Sequence, residues 1–163
     1  MKILVLSDSH GGWALMNRSV EALKPDILIH LGDYWDDAQA LAAAWPSLPM
    51  YCVPGNCDAY RGGVGKPKIL TPTIGDVPFY LTHGHLHHVK TGRRDLLLAA
   101  REAGVQAVFY GHTHLPMCGR EPDGLWVLNP GTCAGPGGTV GLIRLENGRV
   151  EDMRILRDSD LEV

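Results

Sequence analysis

The stretch Lys2-Ile-Leu-Val-Leu-Ser-Asp8-Ser-His10-Gly-Gly12 decides the fold and points to the chemistry. An unbroken apolar run of this length reads as a strand buried on both faces, the kind found in parallel sheets covered by helices. It stops at Asp8-Ser-His10, so polar side chains fall at the strand's C-terminal end. Trp13 to Leu23 follows with apolar residues at 13, 16, 20 and 23, a helical period closed by Pro25. Asp26 to Leu31 repeats the buried-strand pattern and breaks at Gly32-Asp33. Ala38 to Trp45 predicts an Ala-rich helix stopped by Pro46, and Met50 to Val53 a third strand running into Pro54-Gly55-Asn56. Strand–helix alternation at this spacing implies right-handed crossovers and parallel pairing. Ligands sit at the C-terminal strand ends of such sheets.

The second half is richer in strands. Ile69–Ile74 and Val77–Leu81 flank the turn signal Gly75-Asp76, and Thr82-His83-Gly84-His85 follows. Arg93 to Ala103 reads as a helix, and Val105 to Tyr110 as a strand entering Gly111-His112-Thr113-His114. Leu125–Leu128 enters Asn129-Pro-Gly-Thr132, while Val140–Leu145 and Val150–Ile155 pair across Asn147-Gly148, a strong hairpin signal. Asp158 to Val163 is expected to fray.

With 163 residues the chain is expected to form one domain, 1–163, large enough for a core without staples. A net charge of −3 speaks against a broad basic nucleic-acid face or an anionic-membrane binder. No apolar run approaches the roughly 20 residues of a membrane-spanning helix. The run behind Lys2 is too short for a secretory leader. Four Cys without a CxxC pair make no disulfide framework, so a cytoplasmic, reduced setting is expected. Oligomeric state, including a homo-oligomer, is left open. The composition leaves eight His unexplained, six of them between 83 and 114.

Asp8, His10, Asp33, Asn56, His83, His112 and His114 thus recur at successive strand ends, each beside a Gly-containing turn. Carboxylate, amide oxygen and imidazole together suit Mn, Fe, Zn or Ni better than Ca. Seven ligands are too many for one catalytic ion and suit two ions about 3.5–4 Å apart. If the backbone is extended, the i, i+2 spacing of Asp8/His10 and of His112/His114 turns both members of a pair to one side. A lone His at a strand end is usually a satisfied core or surface residue; the joint pattern carries the reading.

Asp8-x-His10, Gly32-Asp33, Gly55-Asn56-Cys57-Asp58, His83-Gly84-His85 and Gly111-His112-Thr113-His114 resemble, in order, the motifs of the calcineurin-like metallophosphoesterases. The likeness covers about residues 1–155. The short chain and Asn129-Pro-Gly-Thr132 resemble the small single-domain branch of YfcE-like phosphodiesterases, to which the retromer subunit VPS29 is also related. The resemblance implies an α/β four-layer αββα sandwich, two mixed sheets flanked by helices. It implies Asp8, His10 and His114 on one metal, Asn56, His83 and His112 on a second, and Asp33 bridging both. A metal-bridging hydroxide would attack phosphorus in line with the leaving group of a small phosphate ester or phosphodiester. Mn is the first choice of metal, with Fe, Zn, Ni or Mg as others.

Larger members carry a His after the Asn, as proton donor to the leaving group. Here that position is Cys57, a weak general acid at neutral pH, which predicts a preference for good leaving groups. Cys57 as a small buried hydrophobe is the equal alternative. His85 matches the second His of the His-Gly-His motif and is a candidate to face phosphate. His30 is expected in the core, His87 and His88 on a loop surface, and Tyr34, Trp35, Tyr60 and Arg61 near the pocket. A histidine-triad hydrolase reading of 83–88 leaves Asp8, Asp33 and the 111–114 motif unexplained. An amidohydrolase barrel needs about 250 residues. Gly62–Pro67 lacks the spacing of a P-loop. The remaining alternative is a phosphoesterase fold turned protein-binding module, as in VPS29.

Overall fold

The first strand runs as its sequence dictates. In the computed structural model, which describes residues 1–161, β1 (Lys2–Leu6) is buried from Ile3 onward. α1 (Trp13–Leu23), β2 (Ile27–His30), α2 (Trp35–Ala44) and β3 (Met50–Cys52) follow. Then come β4 (Ile69–Leu70), β5 (Thr73–Ile74), β6 (Val77–Thr82), α3 (Arg94–Glu102) and β7 (Ala107–Phe109). β8 (Met117–Arg120), β9 (Trp126–Asn129), β10 (Thr139–Glu146) and β11 (Arg149–Arg157) complete the strands. One sheet has the order β11-β10-β1-β2-β3, with β1, β2 and β3 parallel and β10 antiparallel to β1. The other has β4-β6-β7-β9-β8, with β6, β7 and β9 parallel, β4 and β8 antiparallel at its edges, and β5 paired to β6.

Period-2 alternation builds the layers. Ile3 and Val5 of β1 face the space between the sheets, where they meet Phe79, Leu81, Phe109 and Leu128. Leu4 and Leu6 face outward onto Leu15, Met16 and Val20 of α1 and Leu41 of α2. On the far side Tyr80, Val108 and Val127 pack under Leu96 and Ala100 of α3. The result is the α/β/β/α sandwich, and a strand covered on both faces explains why the buried strands read as continuous apolar runs.

Local differences from the sequence reading have physical causes. The predicted strand 69–74 splits at Thr71-Pro72, where Pro72 has no N–H for a ladder but its carbonyl accepts from Phe79 N at 2.9 Å. β8 has no sequence signature, because Met-Cys-Gly-Arg carries a Gly and only partial burial. α1 buries Leu15, Met16, Ser19 and Val20, leaving Trp13 40% exposed at its start. α2 begins at Trp35, three residues early, with Asp36 and Asp37 in its first turn, where carboxylates suit the helix dipole. Asp158–Asp160 form a 3-10 turn and Leu161 is buried, so this part of the expected fray is ordered; Glu162 and Val163 lie outside the described residues. Among the described residues no helix is long and apolar enough to cross a membrane.

Side chains within the fold hold the strand-end loops in place. Asp58, 1% exposed, accepts the backbone N–H groups of Gly55 (2.7 Å), Asp33 (3.0 Å) and Trp35 (2.7 Å), tying the loop after β3 to the loop after β2. Asn129 donates to Gly111 C=O (3.1 Å) and Thr113 Oγ1 (3.0 Å) and accepts from Gly131 N (2.9 Å). His30 is a core residue, as expected. Gly32 N–H donates to its Nδ1 at 3.2 Å, so Nε2 carries the proton and donates to Ser9 Oγ at 3.0 Å.

Two predictions follow from these ties. Asp58→Ala strands three N–H groups at once and should lower unfolding free energy by about 3 kcal/mol or more; a urea midpoint within error of wild type would contradict the clamp. Burial holds the His30 imidazole down at about 4, against about 6.5 when exposed. The unfolded chain therefore binds the extra proton, and stability falls as pH drops from about 6.5 toward 4, by up to about 3 kcal/mol. His30→Gln should flatten that part of the pH–stability curve; parallel curves for the two proteins would contradict it.

Candidate metal centre

The candidate side chains converge where the C-terminal ends of β1, β2, β6 and β7 meet at one edge of the sandwich. Two groups of ligand-capable residues form there, Asp8 with His10 and His114, and Asp33 with His83 and His112; within each group one ligand atom per residue lies within 4.8 Å of the others. His114 Nε2 is 3.2 Å from Asp8 Oδ1, and His83 Nε2 is 3.4 Å from Asp33 Oδ2. The groups adjoin, since His83 Nε2 is also 3.7 Å from Asp8 Oδ1.

Each acidic residue has one oxygen held and one presented. Asp8 Oδ2 accepts Ser7 Oγ–H at 2.5 Å and His112 N–H at 3.0 Å, which stitches the first sheet to the second. Among the described residues Asp8 Oδ1 is buried without a hydrogen-bond partner, and so is His10 Nε2. Asp33 Oδ1 accepts Cys57 N–H at 2.9 Å, leaving Oδ2 toward His83. His83 Nδ1–H donates to Leu31 C=O at 2.7 Å, so its Nε2 offers a lone pair when neutral. Buried acceptors without donors are costly unless a cation meets them. The donor set of carboxylate oxygens and imidazole nitrogens therefore fits divalent metal ions.

Electrostatics reflect this crowding. Burial alone would raise the Asp33 carboxyl, but His83 and the Cys57 N–H more than offset it and hold it far below the usual carboxylate range. Burial likewise opposes charge on His83, yet Asp33 and Asp8 beside it push its pKa up. Burial keeps His112 below its ordinary value, with His83 acting in the same direction. Asp33 thus attracts positive charge, and His112 stays available as a neutral ligand.

The backbone carries strain at the same residues. Asp8 (φ 50°), His10 (42°), Asp33 (58°), His112 (70°) and His114 (62°) all lie in the left-handed region, which costs non-glycine residues of order 1 kcal/mol each. The extended i, i+2 geometry expected for both pairs is therefore not found, because both members of each pair are left-handed. His112 and His114 fall in different groups, whereas Asp8 and His10 share one. Close approach requires Gly at two neighbours: a Cβ on Gly111 would lie 2.1 Å from Ser7 Oγ, and one on Gly55 would lie 2.1 Å from Asp33 Oδ1.

The other candidates fall at the rim. Asn56 and Cys57 are exposed, Asn56 Nδ2 being 3.7 Å from Cys57 Sγ. The buried-hydrophobe reading of Cys57 is thereby overturned, and burial together with Asp33 raises its thiol pKa. His85 is half-buried, with ring centroids 5.5 Å from His83 and 6.2 Å from His112, and burial brings it down to about 4. His87 is buried rather than on a loop surface, its Nε2 2.9 Å from Tyr80 Oη; His88 is exposed. Tyr34 stands edge-on to His10 (4.6 Å) beneath the Arg61 guanidinium (3.5 Å), whereas Tyr60 is fully exposed. Sequence reading missed the holding roles of Ser7, Asp58 and Asn129, and that of Thr132, whose Oγ1 donates to Asp8 C=O at 2.6 Å. Asp58 and Asn129 carried a visible signal, each standing in a turn-forming run.

Comparison with known proteins agrees with this geometry. Residues 1–148 match the calcineurin-like phosphoesterase superfamily domain. The probable metallophosphoesterase YsnB of Bacillus subtilis is 32% identical over 140 residues, covering 81% of this chain and 75% of that protein. A conserved Streptococcus pneumoniae protein described as a predicted phosphoesterase superposes with a TM-score of 0.78 at 26% identity, over 96% of this chain and 88% of that one. Vps29 of Entamoeba histolytica, complexed with Zn2+, superposes with a TM-score of 0.74 at 18% identity, over 96% of this chain and 98% of its own, a likeness of fold alone. With nine-tenths of its length matched and its candidate ligands gathered at one sandwich edge, the chain belongs to the calcineurin-like phosphoesterase superfamily.

Proposed function

We propose that this chain is a dinuclear metal-dependent phosphodiesterase. Asp8, His10 and His114 would hold one ion, Asn56, His83 and His112 the other, and Asp33 would bridge them. The supporting observation is the pair of adjoining ligand groups, with Asp8 Oδ1 and His10 Nε2 buried and otherwise unpartnered. Two divalent ions there, Mn first with Fe, Zn, Ni or Mg as others, would lower the pKa of a shared water, orient the ester and neutralise charge during in-line attack at phosphorus.

The protein's own residues set the rest. Asp8 and Asp33 keep one oxygen fixed by N–H donors, so the other is pre-oriented. Leu31 C=O fixes the His83 tautomer. His85, held neutral and next to His83 and His112, is placed to hydrogen-bond a phosphoryl oxygen. Cys57 retains its proton at neutral pH and gives little help to a poor leaving group, which points to esters that leave readily, such as aryl phosphodiesters. The binding-module reading draws on the Vps29 fold; the filled ligand positions favour catalysis. A single domain over 1–163, acting in the cytoplasm on a small phosphate ester without broad nucleic-acid or membrane contact, completes the proposal.

An aryl phosphodiester such as bis(p-nitrophenyl) phosphate tests it. Turnover should require a divalent ion, disappear on chelation and fall by about a thousandfold or more in Asp33→Asn, the loss expected when charge stabilisation worth several kcal/mol is removed. Absence of turnover with every divalent ion, in protein that remains folded and metal-bound, would contradict it and favour the module.

A further inference from the structure

A cleft beside the Asp33–His83–His112 group contains one charge that phosphoryl chemistry does not use. It encloses about 360 Å³, and its wall includes Pro54, Ala59, Val64, Asn56, His85 and Lys68. The Asp58 carboxylate also lines it, but that group is committed to three backbone N–H donors. Lys68 makes no ion pair among the described residues. Its backbone is fixed, because Lys68 C=O accepts Thr82 Oγ1–H at 3.1 Å and the next residue, Ile69, pairs with Thr82, the neighbour of His83. Lys68 and His85 line the same cleft. The cleft thus brings the exposed Lys68, on a fixed backbone, together with Asn56 and His85 in a partly apolar wall.

Two metal ions would meet the charge on the scissile phosphate, which would leave the Lys68 ammonium open to a second anionic group. Resting on the phosphodiesterase reading, we propose that this cleft receives the arm of a phosphodiester that bears a second anionic group, and that Lys68 is a specificity-determining residue for that group. A neutral arm would leave Lys68 hydrated and gain nothing, whereas an anionic arm gains a charge-assisted hydrogen bond. Specificity is then a difference between two arms at one phosphorus.

Two chromogenic diesters with one leaving group isolate the effect: thymidine 5′-(p-nitrophenyl phosphate) and its 3′-phosphorylated analogue. Manganese-loaded protein should prefer the 3′-phosphorylated ester about tenfold in kcat/KM, through KM, the size of one such contact. Lys68→Met should bring the ratio near one, and Lys68→Arg should keep most of it. Calorimetric titration with thymidine 3′,5′-bisphosphate and thymidine 5′-monophosphate reads the same preference without turnover. Equal wild-type affinity for the two nucleotides, or a preference that survives Lys68→Met, would overturn the assignment. Failure to hydrolyse either ester would count against the phosphodiesterase reading, and the calorimetric ratio would still decide the role of Lys68.

Discussion

The Asp8 carboxylate is the constraint on which the rest of the site depends. It leaves the end of β1 fully buried, and one of its oxygens takes the N–H of His112 from the far sheet. That contact fixes how the two sheets meet at the edge where the ligands gather. It also divides the carboxylate's work: Oδ2 is satisfied by protein donors, while Oδ1 is buried beside His114 Nε2 with no hydrogen bond among the described residues. A buried carboxylate half-satisfied in this way is costly unless a cation completes it, so the interaction that joins the sheets also prepares an ion site.

The sandwich supplies rigidity for the strain at the site. Five candidate ligands adopt left-handed backbone, a sum of several kcal/mol by the usual cost per residue. Covered strands on both sides of each loop, and the Asp58 and Asn129 clamps between loops, hold those turns against relaxation. Strain of this kind concentrates where geometry serves function.

Much of this was legible in the sequence because the signals were strong and local. The Lys2–Leu6 run, α1 over Trp13–Leu23 and the Asn147-Gly148 hairpin follow from burial on two faces, helical period and positive φ at the turn. The convergence of Asp8, Asp33, His83 and His112 followed from parallel pairing, which brings C-terminal strand ends to one edge. Less visible were features that depend on tertiary contact. β8 exists because β9 offers an edge, His87 is buried because Tyr80 Oη lies beside it, and Cys57 is exposed because the Gly55–Asp58 turn projects it outward. The left-handed backbone at Asp8 and His10 has no sequence mark either, since neither residue is Gly.

The central claim is that Asp33 stands between two ion positions rather than beside one. Electron paramagnetic resonance of the manganese-loaded protein tests it most directly, because two ions sharing a carboxylate couple magnetically and isolated ions do not. The account predicts two manganese ions per chain and the multiline spectrum of a coupled pair, replaced by the spectrum of an isolated ion in Asp33→Asn. A single ion per chain with an uncoupled spectrum in the wild-type protein would contradict it.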